Sequence, residues 1–159
     1  ERGIKQMTGI NGLAFQYGGG FGNIMKALDS IQMVDKDKWI IDCLWVEGPT
    51  GEAYQEMNNR EYSRHELISR FAFVGNDFVN FVRVRGYNYS DDVGQISTFE
   101  DFAKSACLLI VLVVDASHYE IYGKSVDTLV LIQSNLASQL AINATLIAAG
   151  ELTRTSLLV

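Results

Sequence analysis

The sequence has little of what marks the commonest special classes of protein. Its two cysteines, Cys43 and Cys107, lie in separate apolar stretches, and with two histidines they show no zinc-ligand spacing. One disulfide between them is allowed but no disulfide framework, so we expect buried thiols in a reducing compartment, the cytoplasm. The scarcity of ligands predicts no metal site. No cofactor fingerprint is present, and no cofactor is predicted.

Long apolar runs are absent as well. The longest, residues 106–114, has nine residues, whereas a membrane-spanning helix needs about 20. This run fits a buried strand. The first residues also lack the apolar stretch of a signal peptide. The sequence therefore predicts no membrane partner.

Positive charge is in the minority. The chain has 13 lysines and arginines against 19 aspartates and glutamates, a formal net charge of −6. A net acidic protein repels phosphate backbones, so nucleic-acid partners are not expected. The same charge suits solubility and cationic protein partners.

What is present is the composition of a globular domain. Of the 159 residues, 48% are hydrophobic and 20% are charged, which is far from the signature of disorder. The length fits a single domain, residues 1–159, around one core. The one proline, Pro49, lies in the segment Glu-Gly-Pro-Thr-Gly and predicts a turn between two elements.

Hydrophobic spacing predicts strands and helices intermixed along the chain. Strands are expected at 13–17, 39–46, 78–84, 107–115 and 118–122, with closing strands at 142–148 and 153–159. Helices are expected at 23–33, 64–71, 98–105 and 125–140, a hairpin return at 52–57, and a polar loop at 87–93. The run at 107–115 is apolar on both faces and should be the central strand.

Two details refine these elements. Ser63 to Glu66 and Ser97 to Glu100 match capping boxes, which open helices. Strict alternation in the strand at 78–84 predicts two faces. One carries Phe78, Asn80, Val82 and Val84, and the other carries Val79, Phe81, Arg83 and Arg85.

The order of elements predicts an α+β or α/β domain, with about four helices packed on a single mixed β-sheet. A doubly wound parallel sheet is less favoured, because the helices are too few to cover two faces.

Five stretches of the chain form a recognisable set: Arg2-Gly3-Ile4, 96–102, 107–115, 118–124 and 153–157. Together they resemble a small family of uncharacterised bacterial proteins known as a domain of unknown function. The resemblance covers about two thirds of the chain and implies a cytoplasmic bacterial protein of this length. It implies no catalytic residue, and the glycine-rich segment near Gly18 is not part of it.

That glycine-rich segment is the first candidate site. Gly18, Gly19, Gly20, Gly22 and Asn23 lie between a predicted strand and a predicted helix, where backbone amides can hold an anion. It is not a phosphate-binding Walker loop, and Asn23 replaces the third glycine of the dinucleotide fingerprint. The alternative, a tight or flexible turn, is the commoner role of glycine clusters.

Asp115, His118 and Glu120 form the second candidate site, at the end of the predicted central strand. With Ser117 they contain the residue types of a hydrolase, but no Gly-x-Ser-x-Gly elbow is present. Proximity in sequence does not supply the geometry that a nucleophile and its base need. The alternative is a solvated edge with a turn-forming aspartate.

Other residues have plainer interpretations. His65 is expected on the exposed side of a helix. Arg83 and Arg85 share one strand face and could bind phosphates or a carboxylate partner, although a solvated or ion-paired strand edge is the commoner role. Several tyrosines lie in polar segments and suit either a binding surface or the margin of the core: Tyr54, Tyr62, Tyr87, Tyr89, Tyr119 and Tyr122.

The leading functional hypothesis is a protein-interaction module, such as an inhibitor or immunity-type factor, that binds its partner through an acidic and aromatic surface. A second hypothesis is a binder of a small anionic ligand that uses the Gly18–Asn23 loop. A third is a hydrolase or transferase around Asp115 and His118, although an enzyme is not favoured. An open sheet edge would also allow a homodimer.

Overall fold

The computed structural model describes residues 9–49, 51–71, 78–152, 154 and 156–158. The strands are β1 (Asn11–Gln16), β2 (Asp37–Glu47), β3 (Arg60–Tyr62), β4 (Phe78–Asn88), β5 (Leu109–Val114), β6 (His118–Gly123) and β7 (Thr145–Ile147). The α-helices are α1 (Phe21–Asp29), α2 (Gly51–Tyr54), α3 (Arg64–Phe71), α4 (Phe99–Lys104) and α5 (Val126–Leu140). A 3-10 turn, Gln55–Met57, follows α2.

The seven strands form one sheet in the order β3-β2-β4-β5-β6-β1-β7. The predicted central strand is confirmed, because β5 has three strands on each side. The α+β class with helices packed on one sheet is confirmed too. Every described pairing is antiparallel, so the sheet is not a mixture of strand directions. Short connections such as the turn from β5 to β6 favour this arrangement, since parallel strands need long crossovers.

The sheet has two unlike sides. On the first, which we call the helix face, α1, α3 and α5 cover a large apolar core that includes Ile24, Leu67 and Leu129. On the second, which we call the polar face, α4 and the C-terminal segment add Phe102 and Leu157 to a smaller apolar cluster. The polar face also carries buried charged side chains: Asp42, Arg83, Arg85 and Glu120.

Side-chain caps fix the helix ends. The Ser63 hydroxyl accepts the amide of Glu66 at 3.1 Å, as the first capping box predicts. The second box is displaced by one residue, because Thr98 and Asp101 form it in place of Ser97 and Glu100. With Thr98 as the cap, Phe99 opens α4 and its ring packs against Tyr122 of the sheet.

The predicted hairpin return at 52–57 is wrong. That segment is α2 followed by the 3-10 turn, and the strand that pairs with β2 is the later β3. Tyr54 and Met57, three residues apart, both pack against the core of the helix face. Helical spacing brings them to the same side, which a strand would not do.

Strand β4 is longer than predicted and runs through Tyr87 into the expected loop. Gly86 permits this, because a Cβ there would meet the ring of Trp39 at 2.8 Å. Val79 packs with Val82 on the helix face, so strict alternation fails between them. The register of β4 against β2 shifts at this point, as a β-bulge requires.

The remaining boundaries differ more modestly. The helix predicted at 23–33 is α1, which begins at Phe21 and ends at Asp29. The strand predicted at 142–148 shrinks to β7. Residues 154 and 156–158 are not in a strand, and the rest of the stretch beyond Leu152 lies outside the described residues.

None of the helices in the described part of the chain is long and apolar enough to cross a membrane.

Candidate functional site

The two candidate sites lie side by side at one end of the sheet. Gln16, the last residue of β1, pairs with His118, the first residue of β6. The amide of Tyr17 then donates to the carbonyl of Ser117 at 2.9 Å. The structure thus brings the glycine segment together with the turn between β5 and β6, although about a hundred residues separate them in sequence.

His118 and Glu120 belong to one hydrogen-bonded network on the polar face. The Gln16 amide donates to Nδ1 of His118 at 2.9 Å, so Nε2 carries the proton that is donated to Glu120 Oε2 at 2.9 Å. Arg154 donates from Nε and Nη2 to the two oxygens of Glu120, at 2.6 and 3.0 Å. Tyr122 donates its hydroxyl to Oε1 at 2.5 Å. Glu120 therefore receives four hydrogen bonds and is the centre of the network.

The surroundings of Glu120 set the charges of this network. Burial raises the pKa of the Glu120 carboxyl, but the hydrogen bonds from Arg154 and Tyr122 outweigh it and hold the pKa below its ordinary value. The pKa of the Tyr122 hydroxyl is raised by burial and by the Glu120 carboxylate. At neutral pH the network thus holds an ionised carboxylate, a guanidinium and a neutral phenol.

Asp115 and Ser117 do not join His118 in a catalytic arrangement. Asp115 is exposed in the turn, with a positive φ of 55°, and no hydrogen bond or ion pair among the described residues links it to His118. The Ser117 hydroxyl donates to Gln16 at 3.4 Å. Both ring nitrogens of His118 are already engaged, so it has no free lone pair for a nucleophile's proton.

The open glycine segment is shorter than expected, because Gly22 and Asn23 lie inside α1. Gly18, Gly19 and Gly20 are exposed, and Gly20 caps the helix without a side-chain bond. The phenol of Tyr17 lies against Gly19, where an added Cβ would collide with it. Asn23 donates to the Tyr17 hydroxyl at 3.0 Å. Tyr17 therefore lies on Gly19, at the middle of the segment that was expected to hold an anion.

Arg83 and Arg85 are ion-paired to a carboxylate, as one of the predicted alternatives states, but the predicted position at a strand edge is wrong. They lie on β4, which has neighbours on both sides, and both are buried. Arg83 donates to the two Asp42 oxygens at 2.6 and 2.8 Å, while Arg85 reaches the same carboxylate at 3.1 Å. The sequence signal for this cluster was Asp42, a carboxylate inside an otherwise apolar strand.

The tyrosines are mostly parts of the core and not of a surface. Tyr62, Tyr87, Tyr119 and Tyr122 are buried, and Tyr54 is half-buried. Burial raises the pKa of Tyr119 to about 12, with a further contribution from Tyr17. Tyr89 is exposed, with the Lys36 ammonium 3.7 Å from its ring centre.

Apart from Tyr89, the most exposed aromatic residues are ones that the sequence did not single out as candidates. Trp45 is 54% exposed and Phe78 is 48% exposed, and Phe81, opposite Trp45, is half-buried. Their sequence neighbours Val46, Val79 and Val82 all lie in the core of the helix face, so these three rings project from the polar face. We call Trp45, Phe78 and Phe81 the aromatic shelf.

A bulge in β2 puts Trp45 on this surface. Cys43 has a positive φ of 55°, and the register against β4 breaks between Asp42 and Trp45. Strict alternation from Trp39 and Ile41, which are in the helix-face core, would have placed Trp45 in that core too. The extra residue reverses the alternation, and Trp45 is exposed as a result.

His65 is exposed on α3, as expected. In the described ranges, no three histidine, cysteine, aspartate or glutamate side chains come together in a way that could hold a metal ion.

Comparisons with known proteins agree with the resemblance found in the sequence. The profile of the family described as "Protein of unknown function (DUF2691)" matches residues 10–158. The chain is also 27% identical over 124 residues to the uncharacterized protein YncE of Bacillus subtilis (strain 168), covering 72% of this chain and 76% of that protein. No solved structure matches the chain.

Proposed function

The chain belongs to the family described as a protein of unknown function (DUF2691), and we propose from its geometry that it acts by binding another protein on the aromatic shelf. The observation that carries this proposal is the exposure of Trp45 beside Phe78. Large aromatic side chains are the commonest anchors of protein interfaces, and leaving them in water has a cost that a partner removes.

Among the described residues, the shelf is the part of the polar face with exposed aromatic rings. Towards Ile110 and Tyr122 this face is covered by Phe102 of α4 and by Leu152 and Leu157 of the C-terminal segment. The three rings of the shelf belong to neither apolar core cluster. A partner that packs on them would extend the covered area across the whole face.

The surroundings of the shelf favour a basic partner. Glu47 lies two residues after Trp45 on β2, so its carboxylate projects from the same side of the sheet. Asn80 donates to Glu47 at 3.0 Å and holds it beside the rings. A lysine or arginine of a partner could pair with this carboxylate and stack on the indole. The net charge of −6 attracts such a partner at long range.

The other two hypotheses have less support from the geometry. An anion at Gly18–Gly20 would compete with the Tyr17 phenol that lies on Gly19. A hydrolase would need His118 as a base, yet its ring nitrogens bond to Gln16 and Glu120. Both remain hypotheses, and neither accounts for the exposed indole.

The test is affinity purification from a lysate of the encoding organism with four baits: the wild type, Trp45→Ala, Phe78→Ala and Leu131→Ala. Leu131 is an exposed apolar residue on α5, so its substitution is the matched control for loss of surface area. We expect at least one protein to be enriched by the wild type and by the control but not by the two shelf variants.

The identified protein is then titrated directly by calorimetry. Loss of the indole should weaken binding by at least about 10-fold, the usual effect of removing an anchor residue, and added salt should weaken it further. If the four baits retain the same proteins, or if the control loses them too, the shelf is not the binding surface.

A further inference from the structure

The two edges of the sheet differ sharply in charge. At one edge β3 carries two exposed charged residues, Arg60 and Glu61, and Lys38 of β2 lies 3.8 Å from Glu61. Charged side chains of this kind discourage a second strand from pairing. At the other edge β7 has none, because residues 128–150 contain no charged residue at all.

Apolar side chains flank the uncharged edge on the helix face. Val126 and Val130 are each 44% exposed and lie one helical turn apart on α5. Gln133, on the same stripe, donates to the carbonyl of Ala144 at 2.8 Å, so this stripe runs along β7. Leu146, 38% exposed, pairs with the core residue Leu13 and therefore projects towards α5. We call Val126, Val130 and Thr145–Ile147 the uncharged edge.

We propose that the uncharged edge binds a second copy of this chain, with the two β7 strands antiparallel across a two-fold axis. No described strand pairs with the outer side of β7. An antiparallel pair of identical edges is self-complementary, since each strand offers the same donors and acceptors to the other. Leu146 of each copy then meets Val130 of the partner.

The charge distribution favours a second copy over a charged partner. Two molecules of net charge −6 repel each other wherever their carboxylates approach. At the uncharged edge, residues 128–150 of two copies can meet without bringing like charges together. Repulsion between the charges elsewhere on the two molecules is screened over about 8 Å at physiological salt. Two exposed carboxylates, Asp127 beside Val126 and Glu151 after β7, lie at the margins of this edge. Between them, residues 128–150 offer a basic partner no carboxylate to pair with.

The interface is small, which predicts a weak and reversible dimer. β7 has three residues, so it contributes few backbone hydrogen bonds. A contact built on so short a strand is smaller than an interface of standard size, which buries about 800 Å² per partner. Most of the binding then comes from the apolar side chains. Added salt should strengthen the dimer, because it screens the repulsion between the two acidic copies.

Sedimentation velocity of the wild-type chain from micromolar to millimolar concentration tests this inference. The average mass should rise with protein concentration from that of one copy towards that of two. In high salt this rise should occur at a lower protein concentration. Leu146→Glu and Val130→Glu should each remain a monomer throughout. Leu131→Glu, on the opposite flank of α5 and 57% exposed, should behave as the wild type.

Circular dichroism of each variant shows whether it has kept the fold, so that loss of the dimer is not confused with unfolding. The inference is overturned if the wild type stays at the mass of one copy up to millimolar concentration. It is equally overturned if Leu131→Glu abolishes the dimer as well, because the contact would then lie elsewhere. Neither result bears on the aromatic shelf, which lies on the other face and is tested separately.

Discussion

The carboxylate of Glu120 and the guanidinium of Arg154 form a bidentate salt bridge, with nitrogen–oxygen distances of 2.6 and 3.0 Å. The pair joins β6, next to the central strand, to the C-terminal segment. The same segment is held a second time where Arg83 donates to the carbonyl of Leu157 at 3.4 Å. Two buried charged groups of the sheet thus fix the C-terminal segment over the polar face.

Removal of Arg154 should therefore destabilise the protein and loosen its C-terminal segment. Arg154→Ala leaves the buried Glu120 carboxylate without its cation, and we expect a loss of about 2 kcal/mol in the free energy of unfolding. Urea unfolding at neutral pH measures it. Exchange of the Leu157 amide, which is bonded to the carbonyl of Ser97, should become faster.

The control for this variant is Lys104→Ala. Lys104 pairs with Glu100 at 3.2 Å, but both side chains are largely exposed, so the loss should stay below about 0.5 kcal/mol. Equal losses for the two variants would show that the Glu120–Arg154 pair contributes no more than an exposed pair.

Acid should remove the contribution of the Glu120 carboxylate to the free energy of unfolding, and it should do so in a defined pH range. Burial raises its pKa and the hydrogen bonds from Arg154 and Tyr122 lower it more, so the folded-state pKa lies below the ordinary value. Such a carboxyl stabilises the fold fully above its unfolded pKa of about 4.3 and progressively less as the pH falls through the folded pKa. The wild type should exceed Glu120→Gln in stability at pH 7, and the difference should shrink below about pH 4.

Urea unfolding of both proteins across this range gives the difference directly. A difference that stayed constant, or grew on acidification, would mean that the ionised form of Glu120 is not the one that the fold stabilises.

Much of the fold was predictable because several elements carry strong periodic patterns. The run at 107–115 is apolar on both faces, and it is the central strand. Helix α5 carries Leu129, Ile132 and Leu136 on one stripe after a serine cap. The helix predicted at 125–140 therefore differs from the observed one by a single residue at its start. The segment at 52–57 was missed because a four-residue helix has too few apolar positions to show a period.

The site was less predictable because its contacts are non-local. Glu120 and Arg154 are 34 residues apart, and Gln16 and His118 are 102 apart, so their pairing follows from strand order. The aromatic shelf escaped prediction for another reason. The bulge at Cys43 reverses the alternation of β2, and no residue in the sequence marks that position as left-handed.

The end of α5 contains a conformational strain that a single substitution should relieve. Ala141 ends the helix with φ 54° and ψ 34°, and its amide donates to the carbonyl of Ala137 at 3.2 Å, as in the αL motif. A left-handed alanine costs about 1 kcal/mol that glycine avoids. Ala141→Gly should raise the free energy of unfolding by about that amount, as measured by urea unfolding.

The matched control is Ala137→Gly, an exposed alanine one turn earlier in the same helix. Glycine in a helix interior costs about 1 kcal/mol, so this variant should be less stable than the wild type. If both glycines destabilise the protein, Ala141 is not left-handed in solution.

The two thiols should react at very different rates with a disulfide reagent. Cys107 is fully buried beneath the polar face, and burial raises its pKa to about 11, so the reactive thiolate is scarce at pH 8. Cys43 lies half-buried at the bulge of β2. One thiol should therefore be modified in the native protein, and the second only in urea. Cys43→Ser should abolish the reaction seen in the folded protein and leave only the reaction of Cys107, which needs urea. A fast reaction that survives in Cys43→Ser would mean that the segment covering Cys107 opens readily, and would contradict the close packing of the polar face around it.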